Sequence, residues 1–361
     1  MTNICFYISD YGYGHASRDI AIIRKILSEY NDAKVYIKTY EPFHFVRQSL
    51  PYRNVEVIQT RNDVGVVFKE NSVTVDRERT KNMLDEWLAS WDEYIQKEKR
   101  FCETHRIDLI LSDIAPQPFI VADDLGITSI AISNFTWHYI FYNLFGETPA
   151  TKRIKEAYER AEIALVLPFN EEMNIFKRKR EISLVSREIT VDRREIRRRC
   201  GISDNEVLVY VGVGRSFEPS FMRSMKPIEA TNVKFLTSSN AELPFGNVIS
   251  IPNNETETQN YLAMCDLIVS KTGYGTVSEA IKARLPMFLL KRNGFKEDEL
   301  IGNKVEDLCI GQFISEKSFL DCAWINESKH LDEYTKGFNN LNSRFKNNGI
   351  PEILGTVKEV I

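Results

Sequence analysis

Cysteine is sparse and unpaired in this chain: six residues (Cys5, Cys102, Cys200, Cys265, Cys309 and Cys322) are scattered over 361 positions with no C-x-x-C pair. That usage excludes a disulfide framework or a thiolate zinc site, and predicts reduced, mostly buried thiols. Nor is one sign of charge in excess. Lys and Arg total 47 against 51 Asp and Glu, a formal net charge of -4, which argues against a general nucleic-acid binder. No apolar run approaches the roughly 18 residues of a membrane-spanning helix. No basic region or cleavage site precedes "NICFYIS", so this stretch reads as a core strand and not as a signal peptide. H-E-x-x-H, clustered Cys/His and D-x-D patterns are also missing, and no bound metal is expected. Together these absences predict a soluble, cytoplasmic protein with an ordinary apolar core.

What is present is a regular alternation. Short apolar runs ("ICFYIS", "KVYIK", "VEVIQ", "IDLILSD", "ITSIAIS", "IALVLP") are separated by amphipathic stretches, including a long helical pattern from about Asp76 to Thr104. The pattern restarts with "EVLVYVGVG", "VKFLTS", "NVISI", "CDLIVS", "LPMFLL" and "GQFIS". Strands alternating with helices imply parallel sheets covered on both faces. The chain therefore reads as α/β with two doubly wound, Rossmann-like domains: residues 1–170, a linker at 171–204, and residues 205–361, whose last helix can pack back on the first domain. In such folds ligands bind at the carboxyl ends of the strands, so a cleft faced by both sheets is expected. The linker is basic, with ten Lys or Arg against four acids between Phe176 and Cys200. A solvated linker and helix face explains this; peripheral contact with an anionic membrane is the alternative.

Two stretches share a G-Y-G-x-x-S pattern: "GYGHASR" at 12–18 and "GYGTVSE" at 273–279. Each follows an apolar run and opens a helical one. Glycines there allow a sharp turn and close approach of backbone N–H groups to a ligand, and a helix N-terminus favours negative charge. The third glycine of the dinucleotide fingerprint is missing, which disfavours a nicotinamide oxidoreductase. The residues behind the glycines differ. His15 brings an imidazole, a side chain that can serve as a general base. Thr276 suits phosphate oxygens, and Glu279 can accept hydrogen bonds from a diol. A tight strand-to-helix connection without ligand remains open for either turn alone.

The stretch "CDLIVSKTGYGTVSEAIKARLPMFLLKR" resembles the donor-binding signature of GT-B fold glycosyltransferases, the group holding the undecaprenyl-diphospho-muramoylpentapeptide N-acetylglucosaminyltransferase and the UDP-glucuronosyltransferases. "YISDYGYGHASR", "SDIAPQPFIVADDLGITSIAISNFTW" and "GYGTVSEAIKARLPMFLLKRNGFKEDELIGN" together resemble the glycosyltransferase-like half of plant-type L-arabinokinases, over residues 4 to 315 or so. No P-x-x-x-G-L-G-S-S-like ATP loop occurs, so sugar kinase activity is not implied.

The resemblance implies a GT-B fold and a nucleotide-diphosphate sugar, UDP-sugar favoured, as substrate, with no cofactor. It places His15 where inverting members carry their base and Asp113 where they carry the acid that orients it, a helix N-cap being the plainer role for Asp113. Arg18 shares the His15 helix face; with Gly12, Gly14, Asn134 and Trp137 it is expected on the acceptor side. On the donor side stand Gly212, Gly214 and Arg215 in "YVGVGRSFE", then Thr272, Gly273, Tyr274, Gly275, Thr276 and the ribose-binding acid Glu279. Glu297 and Asp298, with Asn303 weaker, are expected near the donor sugar, a surface acidic cluster being the alternative. "DVGVVFKENS" (63–72) matches a loop of the arabinokinase half but has no chemistry assigned. Three functions follow: an inverting glycosyltransferase, a non-catalytic sugar-nucleotide binder, and, further off, a sugar-nucleotide epimerase. Donor sugar, acceptor and oligomeric state are not legible.

Overall fold

The computed structural model describes residues 2–213, 219–226, 233–238, 243–327 and 331–361. Strand-forming runs rich in Ile, Val, Phe and Tyr build two all-parallel sheets. The first has seven strands: β1 (Asn3–Ile8), β2 (Lys34–Thr39), β3 (Val55–Gln59), β4 (Leu109–Asp113), β5 (Thr128–Ser133), β6 (Ile163–Val166) and β7 (Lys179–Glu181), in the order β3-β2-β1-β4-β5-β6-β7. The second has six: β8 (Val207–Gly212), β9 (Val233–Ser238), β10 (Val248–Ile251), β11 (Leu267–Lys271), β12 (Met287–Leu290) and β13 (Gly311–Ile314), in the order β10-β9-β8-β11-β12-β13. Both orders reverse direction between the sheet's first and fourth strands. In doubly wound sheets the loops diverge at such a reversal, which is where ligands generally bind.

The chain divides into two compact units, and neither is a continuous segment. One comprises Met1–Val67, Asp76–Val185 and Ser343–Ile361; the other comprises Phe68–Val75 and Ser186–Asn342. In the first unit the C-terminal helix Ile350–Val360 packs on the helix Tyr13–Glu29. Gly349 lies so close to the Ser183 carbonyl that a Cβ there would stand 2.2 Å from it. The central strands are buried on both faces, as the unbroken apolar run Ile4–Ile8 shows. In the second unit Val209, Val211, Phe235, Val269, Phe288 and Leu290 form the core, with Trp324 and, from the N-terminal half of the sequence, Val73. The helical stretch read as continuous from Asp76 is two helices, Arg77–Ala89 and Trp91–His105, with Ser90 as the joint.

The basic stretch is largely satisfied within the chain. In the first unit Arg178 pairs with Glu162 and Arg180 with Glu359; in the second, Arg193 and Arg197 share Asp266, and Arg199 pairs with Glu195. Among the described residues no helix is long and apolar enough to cross a membrane.

Candidate functional site

In the first unit β1 and β4 lie side by side, with Ile8 opposite Asp113. Gly12 ends the loop after β1 at φ 99° and ψ 161°, a region that side chains other than hydrogen reach only with strain. The turn delivers the helix Tyr13–Glu29 with no side chain capping its N-terminus. His15, 7% exposed, therefore sits one turn into that helix against the end of β4. Its Nδ1 lies 2.9 Å from Asp113 Oδ1, and its ring meets Phe135 edge-on at 6.1 Å.

Arg18, one helical turn on and 1% exposed, forks onto the same carboxylate. Its Nε donates to Asp113 Oδ2 at 2.7 Å and its Nη2 to Asp113 Oδ1. Its Nη1 donates to Asn134 Oδ1 at 3.1 Å, and Nη2 also lies 3.0 Å from His15 Nδ1. Burial alone would raise the Asp113 carboxyl, but the charges of Arg18 and His15 and their hydrogen bonds outweigh it. The carboxyl is held well below the usual carboxylate range. The adjacent Asp19 shows the opposite outcome: burial, and then the Asp113 charge, push its carboxyl up.

A second acidic pair sits beside this group. Asp63 Oδ1 accepts from the Asp10 backbone N–H and Asp63 Oδ2 from Trp137 Nε1, both at 2.8 Å. Asp10 in turn accepts from the amides of Tyr40 and Asn62. Burial, with the Asp63 charge, raises Asp10 to about 7. Asp10 thus clasps the loops after β2 and β3 against the loop after β1.

In the second unit the turn Thr272–Gly275 follows β11. Thr272 is spent on the interior: its N–H and hydroxyl both donate to the Leu290 carbonyl. Gly273 is extended (φ -165°) and starts the helix Tyr274–Ala283, again with no side-chain cap. Tyr274 and Gly275 are buried and Thr276 is half-buried. Glu279, 6% exposed, receives Arg187 Nε and Nη2 on Oε1, each at 2.8 Å. Arg187 continues to the Thr256 carbonyl and, at 2.8 Å, to Thr258 Oγ1. Lys271, the last residue of β11, carries its Cε to within 3.9 Å of where a Gly273 Cβ would stand. Burial, reinforced by the Arg292 charge and opposed by Glu297 and Asp298, lowers its ammonium to about 7.

The residues expected from the sequence fall into groups. His15, Asp113, Arg18 and Asn134 form one hydrogen-bonded cluster, with Gly12 and Gly14 in the turn that presents it. Asn134 and Trp137, expected on the acceptor side, are 0% exposed. Asn134 supports Arg18, while Trp137 packs edge-on to Tyr11 and Phe135 and stacked on Phe141. Gly212 ends β8, where its backbone runs so close to Tyr210 that a Cβ would lie 2.5 Å from the phenol oxygen. Gly214 and Arg215 lie outside the described residues. Asp298 is 0% exposed and spends itself on Arg292, receiving its backbone N–H at 2.6 Å and its guanidinium. Burial raises the Asp298 carboxyl to about 6 against that pull. Glu297 lies 3.7 Å from the same guanidinium, and Asn303 is on the helix Lys296–Asp307 that carries both acids. Arg187, Lys271 and Arg292 were missed. Only Lys271 had a local signal, a lysine directly before the turn; the other two are defined by partners far along the chain or by burial.

The comparisons with known proteins agree on one fold. The profile of the family described as glycosyl transferase family 1 matches residues 2–318. An L-arabinokinase of Arabidopsis thaliana is 25% identical over 328 residues, which cover 88% of this chain but only 31% of that protein. The glycotransferase of kitacinnamycin aligns over 99% of each chain with a TM-score of 0.68 and 14% identity. The spinosyn rhamnosyltransferase SpnG, complexed with thymidine diphosphate, gives 0.66 and 12% over 99% of this chain and 100% of its own. UGT2 of Phytolacca americana, complexed with UDP-2-fluoro-glucose and pterostilbene, gives 0.66 and 11% over 99% of each. At these identities the likeness establishes the GT-B architecture, two Rossmann-like parallel sheets of seven and six strands.

Proposed function

Since this chain belongs to glycosyl transferase family 1, we propose that it moves a sugar from a nucleoside-diphosphate sugar, a UDP-sugar in the first instance, to an acceptor hydroxyl with inversion. The observation that carries this reading is the buried His15–Asp113 pair at the strand-order reversal of the first sheet. With Nδ1–H donated to Asp113, His15 Nε2 is left as the basic nitrogen. It takes the acceptor hydroxyl proton as that oxygen bonds to the anomeric carbon, and the bond from that carbon to the diphosphate oxygen breaks. Asp113 fixes the tautomer and stabilises the imidazolium. On the donor side, the uncapped amides at Gly273–Thr276 and the Lys271 amine meet the charge that develops on the leaving diphosphate, without a metal. Glu279, oriented by Arg187, accepts from the ribose hydroxyls.

A second reading, a sugar-nucleotide binder without turnover, is favoured by Arg18. Its guanidinium occupies both Asp113 oxygens and competes for His15 Nδ1. If Arg18 donates to Nδ1, the proton moves to Nε2 and the base is lost. The epimerase reading has no such observation behind it. Calorimetric titration with UDP and UDP-sugars, followed by transfer and donor-hydrolysis assays, separates the two. Turnover that His15→Ala removes while UDP affinity persists supports the transferase. Tight binding with no turnover in the unaltered protein supports the binder, and no binding of any nucleotide would sink both.

A further inference from the structure

Residues 68–75 come from the N-terminal half of the sequence, yet they belong to the unit built around the second sheet. The excursion is pinned at its root in the first unit, where Val67 O accepts from Asp76 N at 2.8 Å and Val67 N donates to Thr80 Oγ1 at 3.0 Å. Its arms are joined by the antiparallel bridge Phe68–Val75 and by Lys69 N to Thr74 O at 2.9 Å. Thr74 then pairs in parallel with Asn293: Val75 N donates to Asn293 O at 2.9 Å, and Asn293 N donates to Val73 O at 2.8 Å. Val73 is 1% exposed and enters the apolar core with Val211, Phe221 and Phe288, while Asn71 Oδ1 accepts from Ser220 Oγ at 2.8 Å.

What this strap reaches is Arg292. That guanidinium is 1% exposed, lies 4.2 Å from the Phe295 ring centroid and 5.8 Å from that of Phe68, and is forked by Asp298. Its Nη2 donates at 2.8 Å to the carbonyl of Thr272, the residue before the second G-Y-G turn. Turning this desolvated guanidinium would break its hydrogen bonds to Asp298 and to the Thr272 carbonyl with no solvent to replace them, so the carboxylate, the carbonyl and the two aromatic faces hold it in one orientation.

We propose that residues 68–75 are a working part of the donor site: a strap whose Phe68 and Asn293 ladder fix Arg292, and through it the backbone of Thr272–Gly273 that faces the diphosphate. This rests on the donor reading above. Phe68 is a positioning residue, acting on the phosphate end of the nucleotide and not on the nucleoside end, which Glu279 and Arg187 serve.

The test titrates Phe68→Ala, Phe68→Tyr and Val75→Pro with UDP and with UMP, and follows amide hydrogen exchange of residues 272–277 with no nucleotide present. Val75→Pro removes the N–H given to Asn293 and leaves Phe68 in place. Phe68→Ala is expected to weaken UDP about tenfold, the size of a lost desolvated cation–aromatic contact. UMP should change by less than about twofold, within the spread of neutral substitutions. Phe68→Tyr should restore UDP binding, and Val75→Pro should repeat the UDP-selective loss. Exchange at 272–277 should quicken in Phe68→Ala and Val75→Pro. Equal weakening of UDP and UMP, or unchanged exchange at 272–277 in both variants, overturns the proposal. If the unaltered protein binds neither nucleotide, the donor reading falls, and the exchange measurement decides the strap by itself.

Discussion

The first G-Y-G turn follows β1, the first strand of its sheet, whereas the second follows β11, the fourth strand of its own. The strict counterpart of the second turn in the first sheet is the end of β4, where Asp113 stands. The counterpart of the first turn in the second sheet is the end of β8 at Gly212. The shared letters therefore mark the two sides of a strand-order reversal, not one side repeated. Backbone geometry separates them further. Gly12 occupies a conformation with positive φ, while Gly273 is in ordinary extended backbone whose Cβ position meets only Lys271 Cε, in ordinary contact at 3.9 Å. The charges also invert: a guanidinium closes over a carboxylate behind His15, whereas the second turn is preceded by Lys271, whose ammonium is lowered by burial to about 7. What the similar sequence shares at the two places is a strand-to-helix turn whose helix begins without a side-chain cap, and nothing more.

That contrast can be broken or sharpened, beginning with the largest effect. His15→Ala should lower turnover by about 10²–10⁴-fold with UDP affinity unchanged by calorimetry; equal loss of both would merge the roles kept apart here. Next, Arg18→Met strips the buried Asp113 carboxylate of its only cationic fork among the described residues. It should cost about 3–5 kcal/mol in urea unfolding, and a near-neutral result would mean that solvent reaches Asp113. Gly12→Ala should destabilise by about 1–3 kcal/mol through strain at its φ and ψ. Gly273→Ala should leave the melting temperature in place, and a matching drop in both would erase the geometric distinction.

The smallest effect concerns pH. Lys271 titrates at about 7 in the free protein, and a bound diphosphate favours its charged form, so binding takes up a proton. UDP affinity should be level below that value and fall as pH rises above it, by up to about tenfold per unit between the free and bound titration points. Lys271→Met should flatten the profile; a slope that survives the substitution assigns the proton elsewhere.

Much of the fold was legible because a buried parallel strand needs a run of apolar residues whatever its surroundings. Each of the twelve quoted runs is a strand. β7 was not found, since "KRE" is three exposed charged residues at a sheet edge. Its pairing with β6 comes from tertiary position and not from pattern. The resemblance pointed to His15 after β1 and Asp113 at the end of β4, and the two side chains do meet there, 2.9 Å apart. The depth of Trp137 and Asn134 was not readable, because an aromatic run opening a helix looks alike whether it faces a sugar or the core. Arg187 lay within the basic linker, indistinguishable there from its solvated neighbours. Only folding brings it to Glu279, 92 positions on.

The route of the backbone has a consequence for recombination. A single crossover in the linker would exchange Ser186–Ile361 as one block, leaving Phe68–Val75 behind with the other parent and carrying Ser343–Ile361 away from the first unit to which it belongs. The offspring would present one parent's Phe68 to the other's Arg292, and one parent's terminal helix to whichever first unit it inherits. Chimaeras that trade nucleotide preference between relatives of this chain should therefore be cut at four places and not one, with the eight-residue excursion carried along with the half it serves.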